Sequence, residues 1–176
     1  MINHLLRRIG AYLLDILLCY GVIFVPLQLL IYTPINHLLD NRLATNPGWL
    51  AMYVILTISL PVWFYFIGCE WSAWRATVGK RLLGLQVTSA SPNHQLHTAQ
   101  IILRNGAKLL PWEIAHLAVN LPLNLVLFPE QVIAPWRVGL IGLAYLLIFA
   151  YLITAVRTPS QTVYDRLLET AAIIHK

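Results

Sequence analysis

Charge is scarce in this sequence: Asp, Glu, Lys and Arg make up 11% of its 176 residues, against about 25% in an average soluble domain. So little charge on so apolar a chain excludes a soluble enzyme and a disordered polypeptide. Cysteine is nearly absent. Cys19 and Cys69 form no C-x-x-C and no disulfide framework, and both sit in apolar stretches as small buried hydrophobes. The six histidines offer no H-E-x-x-H or comparable ligand spacing, so no metal is expected. Gly79-Lys80 looks like the end of a phosphate loop, but Trp74 stands where the earlier glycine belongs and Arg81 replaces the required Ser or Thr. No spacing suggests a Ser/His/Asp or Cys/His set, so neither catalysis nor a cofactor is expected. There is no run of like charges and no basic helix face, which argues against nucleic acid as a partner.

What the chain has in excess is apolar side chain, 59% of residues, with a mean hydropathy of +0.69. A soluble fold of this size leaves roughly a third of its unfolded surface in water. The lipid bilayer is therefore the expected solvent and partner. Four stretches are candidates to cross ~30 Å of hydrocarbon: residues 9–32, 49–69, 109–128 and 138–156. The expected fold is an all-α membrane protein, a single bundle of about four transmembrane helices with a cytoplasmic loop 70–108 and a cytoplasmic tail 157–176.

Charge placement decides the status of 109–128, which holds Glu113, His116, two asparagines and two prolines. If all four stretches cross, ten of the twelve basic residues share one side, leaving Arg42 and Arg137 opposite. If 109–128 does not cross, the division is eight against four. The positive-inside rule prefers the first arrangement, in the inner (plasma) membrane with both termini cytoplasmic. Arg7-Arg8 before an apolar run imitates a signal peptide. However, the run is too long, contains Asp15 and ends in Tyr32-Thr33-Pro34 without a cleavage site, so a retained first helix is expected.

Between the spans, Thr33-Pro34 and Asn46-Pro47-Gly48 read as the turns that open and close an outer loop. Leu85-Gln86-Val87-Thr88 alternates like a short strand, and Thr98 reads as the N-cap of a helix through Ile101 to Arg104. In the tail, Thr158 reads as an N-cap with Pro159 at the first helical position. Val163, Leu167, Ala171 and Ile174 repeat at spacings of four and three, predicting an amphipathic C-terminal helix.

Some residues do not belong in oil. A carboxylate near mid-span such as Asp15 costs ~2.5–3.5 kcal/mol to insert and needs a partner. Arg8 is seven residues earlier and leans toward the headgroups, so the candidate partners are Lys80, Arg104 and Lys108. Such a pair either pins the inner loop to the first helix or leaves Asp15 to bind a cation or proton; a protonated, hydrogen-bonded Asp15 is the third option. Glu113, His116, Asn120 and Asn124, spaced three, four and four, form one helical stripe with Pro122 beside it. The stripe is read as a helix-packing seam, an interfacial face or a candidate intramembrane proton relay.

Three separated segments resemble one family. Arg8-Ile9-Gly10-Ala11-Tyr12-Leu13-Leu14-Asp15 resembles the R-x-x-A-x-x-x-D start of RDD-family membrane proteins. Ala76-Thr77-Val78-Gly79-Lys80-Arg81-Leu82-Leu83-Gly84-Leu85-Gln86-Val87 is similar to the block after that family's second helix. Gln161-Thr162-Val163-Tyr164-Asp165-Arg166-Leu167-Leu168-Glu169-Thr170 is similar to its closing block, although Tyr164 stands where histidine is usual. The resemblance implies a multi-pass, mostly bacterial membrane protein, with cation/proton antiport proposed for some members. It makes Arg8, Asp15 and Asp165 the defining trio and places Arg104 and Thr170 with them.

Topology then predicts that Arg8, Asp15, Lys80, Arg104, Asp165 and Thr170 share one buried polar network at the inner boundary. The expected function is a small-solute or cation/proton transporter using buried carboxylates, working as a homo-oligomer because four spans are few for a complete path. The alternative is a non-catalytic membrane scaffold or assembly subunit.

Overall fold

The computed structural model describes residues 2–91, 94–119 and 135–174. The first span is α1 (Ile2–Leu18), a π-helical stretch (Cys19–Phe24) and α2 (Val25–Leu38), which run on as one rod from Asn3 to Leu38. A four-residue α3 (Arg42–Thr45) leads to the second rod, Gly48–Trp71. That rod is built from α4 (Pro47–Val54), a π-helical stretch (Ile55–Ser59) and α5 (Leu60–Trp71). Both π-helical stretches end just before a proline, Pro26 or Pro61. Proline has no N–H for the carbonyl four residues back, and one widened turn lets a helix pass it without breaking.

Thr33-Pro34 does not open a loop. Pro34 lies inside α2, and the chain turns only after Leu38, where Asp40 and Asn41 take left-handed φ of 49° and 61°. The lost donor costs one bond, whereas the apolar run around it still favours a helix in lipid. Asn46-Pro47-Gly48 acts as read: the Asn46 side chain accepts from the N–H groups of Gly48 (2.8 Å) and Trp49 (3.3 Å), with Pro47 at the first helical position.

Next come α6 (Val78–Leu82), β1 (Leu85–Ser89), α7 (Thr98–Val119) and α8 (Pro135–Arg157). α7 packs between α5 and α8. Among the described residues three helices are long and apolar enough to cross a membrane: Asn3–Leu38, Gly48–Trp71 and Pro135–Arg157. Their apolar side chains point outward, Leu29 being 76% and Leu146 68% exposed, as a lipid-facing surface requires. The expected fourth span, 109–128, lies partly outside the described residues. Its described part belongs to α7, which starts eleven residues earlier, at Thr98, and is not among the three.

The tail corrects the sequence reading. Among the described residues the tail forms no amphipathic C-terminal helix. A five-residue α9 (Val163–Leu167) gives way to β2 (Thr170–Ile174), which pairs antiparallel with β1 from Leu85↔Ile174 to Ser89↔Thr170. Helical spacing of Val163, Leu167, Ala171 and Ile174 was coincidence. Glu169 takes a φ of 51° that breaks the helix, and the strand buries Ala172 against Val87, both fully inaccessible. The helix start is Thr162 rather than Thr158: Asp165 accepts from the Thr162 N–H (3.0 Å) and hydroxyl (2.8 Å).

The start of α1, the end of α5, α6, the start of α7, the end of α8, α9 and the ribbon all gather at one end of the bundle. The candidate site lies there.

Candidate functional site

Asp15 is buried one turn from where α6 abuts α1. Its carboxylate accepts from the Tyr65 hydroxyl (2.6 Å), the Thr77 hydroxyl (2.6 Å) and the Gly79 N–H (2.8 Å). Glycine is required at 79, because a Cβ there would collide with the Ala11 carbonyl and lie 2.9 Å from Asp15 Oδ1. Lys80, Arg104 and Lys108 had been the candidate partners for Asp15, and none forms an ion pair with it among the described residues. The physical reason is that three fixed dipoles already satisfy the carboxylate, while Lys80 and Arg104 are taken elsewhere.

They are taken by a carboxylate that sequence reasoning missed. Glu70, the last but one residue of α5, is fully buried. It accepts from Arg104 Nη1 (2.6 Å), Asn105 Nδ2 (2.9 Å) and Lys80 Nζ. Arg104 Nε then donates to Asp165 Oδ1 (2.7 Å), and Arg8 Nη2 donates to Asp165 Oδ2 (2.7 Å). Arg8 Nη1 also donates to the Pro159 carbonyl (3.0 Å). Thr170 Oγ1 lies 3.3 Å from Asp165 Oδ1, at the start of β2. The result is an alternating line, Arg8–Asp165–Arg104–Glu70–Lys80, that joins α1, α9, α7, α5 and α6. The sequence reading treated Glu70 as the first loop residue because its charge ended the apolar run. That charge was itself the available signal.

Burial would raise the Asp165 carboxyl, but Arg104 and Arg8 outweigh it and hold the group well below the usual carboxylate range. Burial likewise opposes the Arg104 charge, and Glu70 and Asp165 overcome it, raising that guanidinium above its ordinary value. At Lys80 burial prevails over Glu70, and the amine is lowered.

The Glu113 stripe faces α5, away from this line. Glu113 accepts from the Ser59 hydroxyl (2.9 Å) and Trp63 Nε1 (2.8 Å). His116 Nδ1 is 3.3 Å from Ser59 Oγ and 3.8 Å from Glu113 Oε2. Ser59 sits in the second π-helical stretch. Asn120 and Asn124 lie outside the described residues.

On the other side of α7, between α1 and α8, is a cavity of about 510 Å³. Arg8, Asp15, Lys80, Arg104 and Lys108 line its charged end; Tyr12, Trp112, Ile148 and Leu152 are among its apolar walls. Glu113 and His116 do not line it, so it does not join Asp15 to the relay pair. Lys108 stands out. It lines the cavity, and its Nζ is tucked 3.5 Å from the centre of the Phe66 ring with no hydrogen-bond partner among the described residues.

Lipid-facing helices joined at one end by a buried line of ions define a multi-pass integral membrane protein. The chain belongs to the RDD family, a family of membrane proteins, whose profile matches residues 2–169. No curated protein and no solved structure matches it.

Proposed function

We propose that this RDD protein is a small-solute transporter of the cell membrane, with both termini cytoplasmic, and that the cavity between α1, α7 and α8 is its solute chamber. One observation carries the reading: a buried lysine amine without a polar partner beside a cavity of about 510 Å³. Ligand pockets typically measure about 300–1,000 Å³. Burying an unpaired amine opposes folding, so Lys108 has no purpose in a purely structural network. In this reading the chain does no bond-making chemistry.

The buried carboxylates serve as anchors rather than as the transport path. Asp15 and Glu70 each accept from three fixed donors, and Asp165 from Arg8, Arg104, Thr162 and Thr170. For cation/proton exchange the remaining pair is Glu113 and His116, whose coupling through Ser59 suits a proton hop. A scaffold role is the second reading. It is favoured by the way the ion line pins the β1–β2 ribbon and tail into one rigid unit that a partner protein could dock on.

Flux measurements decide between them. Purified full-length protein in liposomes is given tenfold gradients of Na⁺, K⁺ or H⁺ with a luminal pH dye, and, separately, fluorescent phosphatidylglycerol with a membrane-impermeant quencher. Transport predicts protein-dependent movement of at least one of these solutes, reduced by Ile148→Trp, which places a bulkier side chain on the chamber wall. Rates equal to those of protein-free liposomes for the whole panel would leave the scaffold reading in possession.

A further inference from the structure

We infer that the cavity is a binding site for the head group of an anionic phospholipid that enters sideways from the bilayer. The inference rests on the reading of this cavity as the solute chamber and names what the chamber takes.

Charge sets the sign of the ligand. Four cationic side chains, Arg8, Lys80, Arg104 and Lys108, border the cavity. Three carboxylates face this cluster: Glu70 and Asp165 within the ion line, and Asp15 on the cavity wall. One positive charge is left over. It falls on Lys108, the one of the four with no hydrogen bond among the described residues, an amine that burial and the neighbouring Lys80 charge hold well below its ordinary value. A cation brought here would meet Lys80 and Arg104 with Asp15 already accepting from three donors, whereas a monoanion beside Lys108 favours the protonated amine and completes the count.

Geometry sets the ligand's class. The mouth of the cavity is rimmed by Ile9, Leu13, Tyr145 and Leu152, all exposed on the lipid-facing sides of α1 and α8. A water-soluble anion would have to pass this apolar rim, whereas a phospholipid presents its head to the charged end and leaves its acyl chains in the bilayer. Arg104 and Lys108 are four residues apart on α7, hence on one face and about 6 Å apart along the axis. That spacing brackets one phosphodiester. Lys108 is held only by contacts with the Phe66 and Tyr12 rings, and its flexible stem brings Nζ to the phosphate when the head group arrives.

The test uses the full chain in nanodiscs of equimolar phosphatidylglycerol and phosphatidylcholine, with native mass spectrometry counting retained lipids. Wild type should retain one phosphatidylglycerol per protomer, enriched about tenfold or more over phosphatidylcholine. Lys108→Met, which keeps the length of the stem and removes an amine without a polar partner, should cut that enrichment about tenfold; Lys108→Arg should restore most of it. Equal retention of the two lipids by wild type, or enrichment unchanged in Lys108→Met, overturns the proposal. So does displacement of phosphatidylglycerol by added oleate at equal concentration, which would make the ligand a free carboxylate amphiphile. Head-group selectivity without flux would sink the transport reading alone, and flux without selectivity would sink this inference alone.

Discussion

Glu70→Gln is the most informative single perturbation, because it changes one atom of a fully buried group shared by three donors. Glutamine keeps the volume and can still accept from Asn105. It cannot compensate Lys80 and Arg104, and its NH₂ group faces one of them as a donor against a donor. Breaking a buried ion pair by removing one partner costs about 3–5 kcal/mol, since the other charge is stranded. Arg104 keeps Asp165 and is partly spared, so Lys80, buried and with no other acceptor among the described residues, carries most of the penalty. At this chain length ~1 kcal/mol shifts Tm by about 2–4 °C, giving a fall of roughly 6–20 °C. Cys19 and Cys69 are free, buried and half-buried respectively, so a thiol-reactive fluorophore reports unfolding in detergent without engineering. The reasoning also fixes the sign of a double-mutant cycle. Lys80→Met on top of Glu70→Gln should restore part of the lost stability, with a coupling above ~1 kcal/mol. A Glu70→Gln fall no larger than that of the exposed Glu169→Gln, or strict additivity with Lys80→Met, would refute the ion line as a structural element.

Gly79→Ala should lower stability by about 1–3 kcal/mol through overpacking, because its Cβ meets the Ala11 carbonyl and Asp15. Gly68→Ala, with open space around its Cβ, should be neutral or stabilising in the same thiol assay. The Asp165 carboxyl is held below its unfolded value of about 3.9, so its contribution is complete above that pH and is lost as pH falls through the folded value. Stability measured from pH 6 to pH 3 should therefore drop on the acid side in wild type and be flatter there in Asp165→Asn; parallel curves would contradict the assignment. Arg8→Leu removes the bonds to Asp165 and the Pro159 carbonyl, and limited trypsin digestion should then cut at the exposed Arg166 several times faster, while an unchanged rate would deny Arg8 its hold on the tail.

The spans were legible because a bilayer imposes one requirement, length of apolar chain, that composition alone reveals. Residues 49–69 and 138–156 fall within one to three residues of the helical rods Gly48–Trp71 and Pro135–Arg157. The first rod overruns its expected 9–32 at both ends, because Pro34 weakens a helix without ending it. The strand at Leu85 was legible from its alternation; its partner was not. Thr170-Ala171-Ala172-Ile173-Ile174 satisfies both a helical and an extended pattern. What decides between them is an edge offered by β1, eighty-one residues earlier at the nearest pairing, Ser89↔Thr170.

The candidate site was legible to the extent that its residues are anomalous where they stand. Arg8, Lys80, Arg104 and Asp165 are brought into one line, and Thr170 joins it at Asp165. Which charge meets which was not legible, because a carboxylate in a helix asks only for donors, and hydroxyl or backbone N–H groups serve as well as a lysine. Tyr65, Thr77 and Gly79 answer Asp15 on those terms. That frees two cations of the middle loop and α7 for an acceptor at the end of α5, and Glu70 is placed there by the same apolar run that it terminates. Neutral donors satisfy the Asp15 carboxylate without cancelling its charge, so the four cations at this end still outnumber the three carboxylates by one; the excess falls at Lys108, which has no hydrogen bond among the described residues, and the cavity beside it acquires its sign.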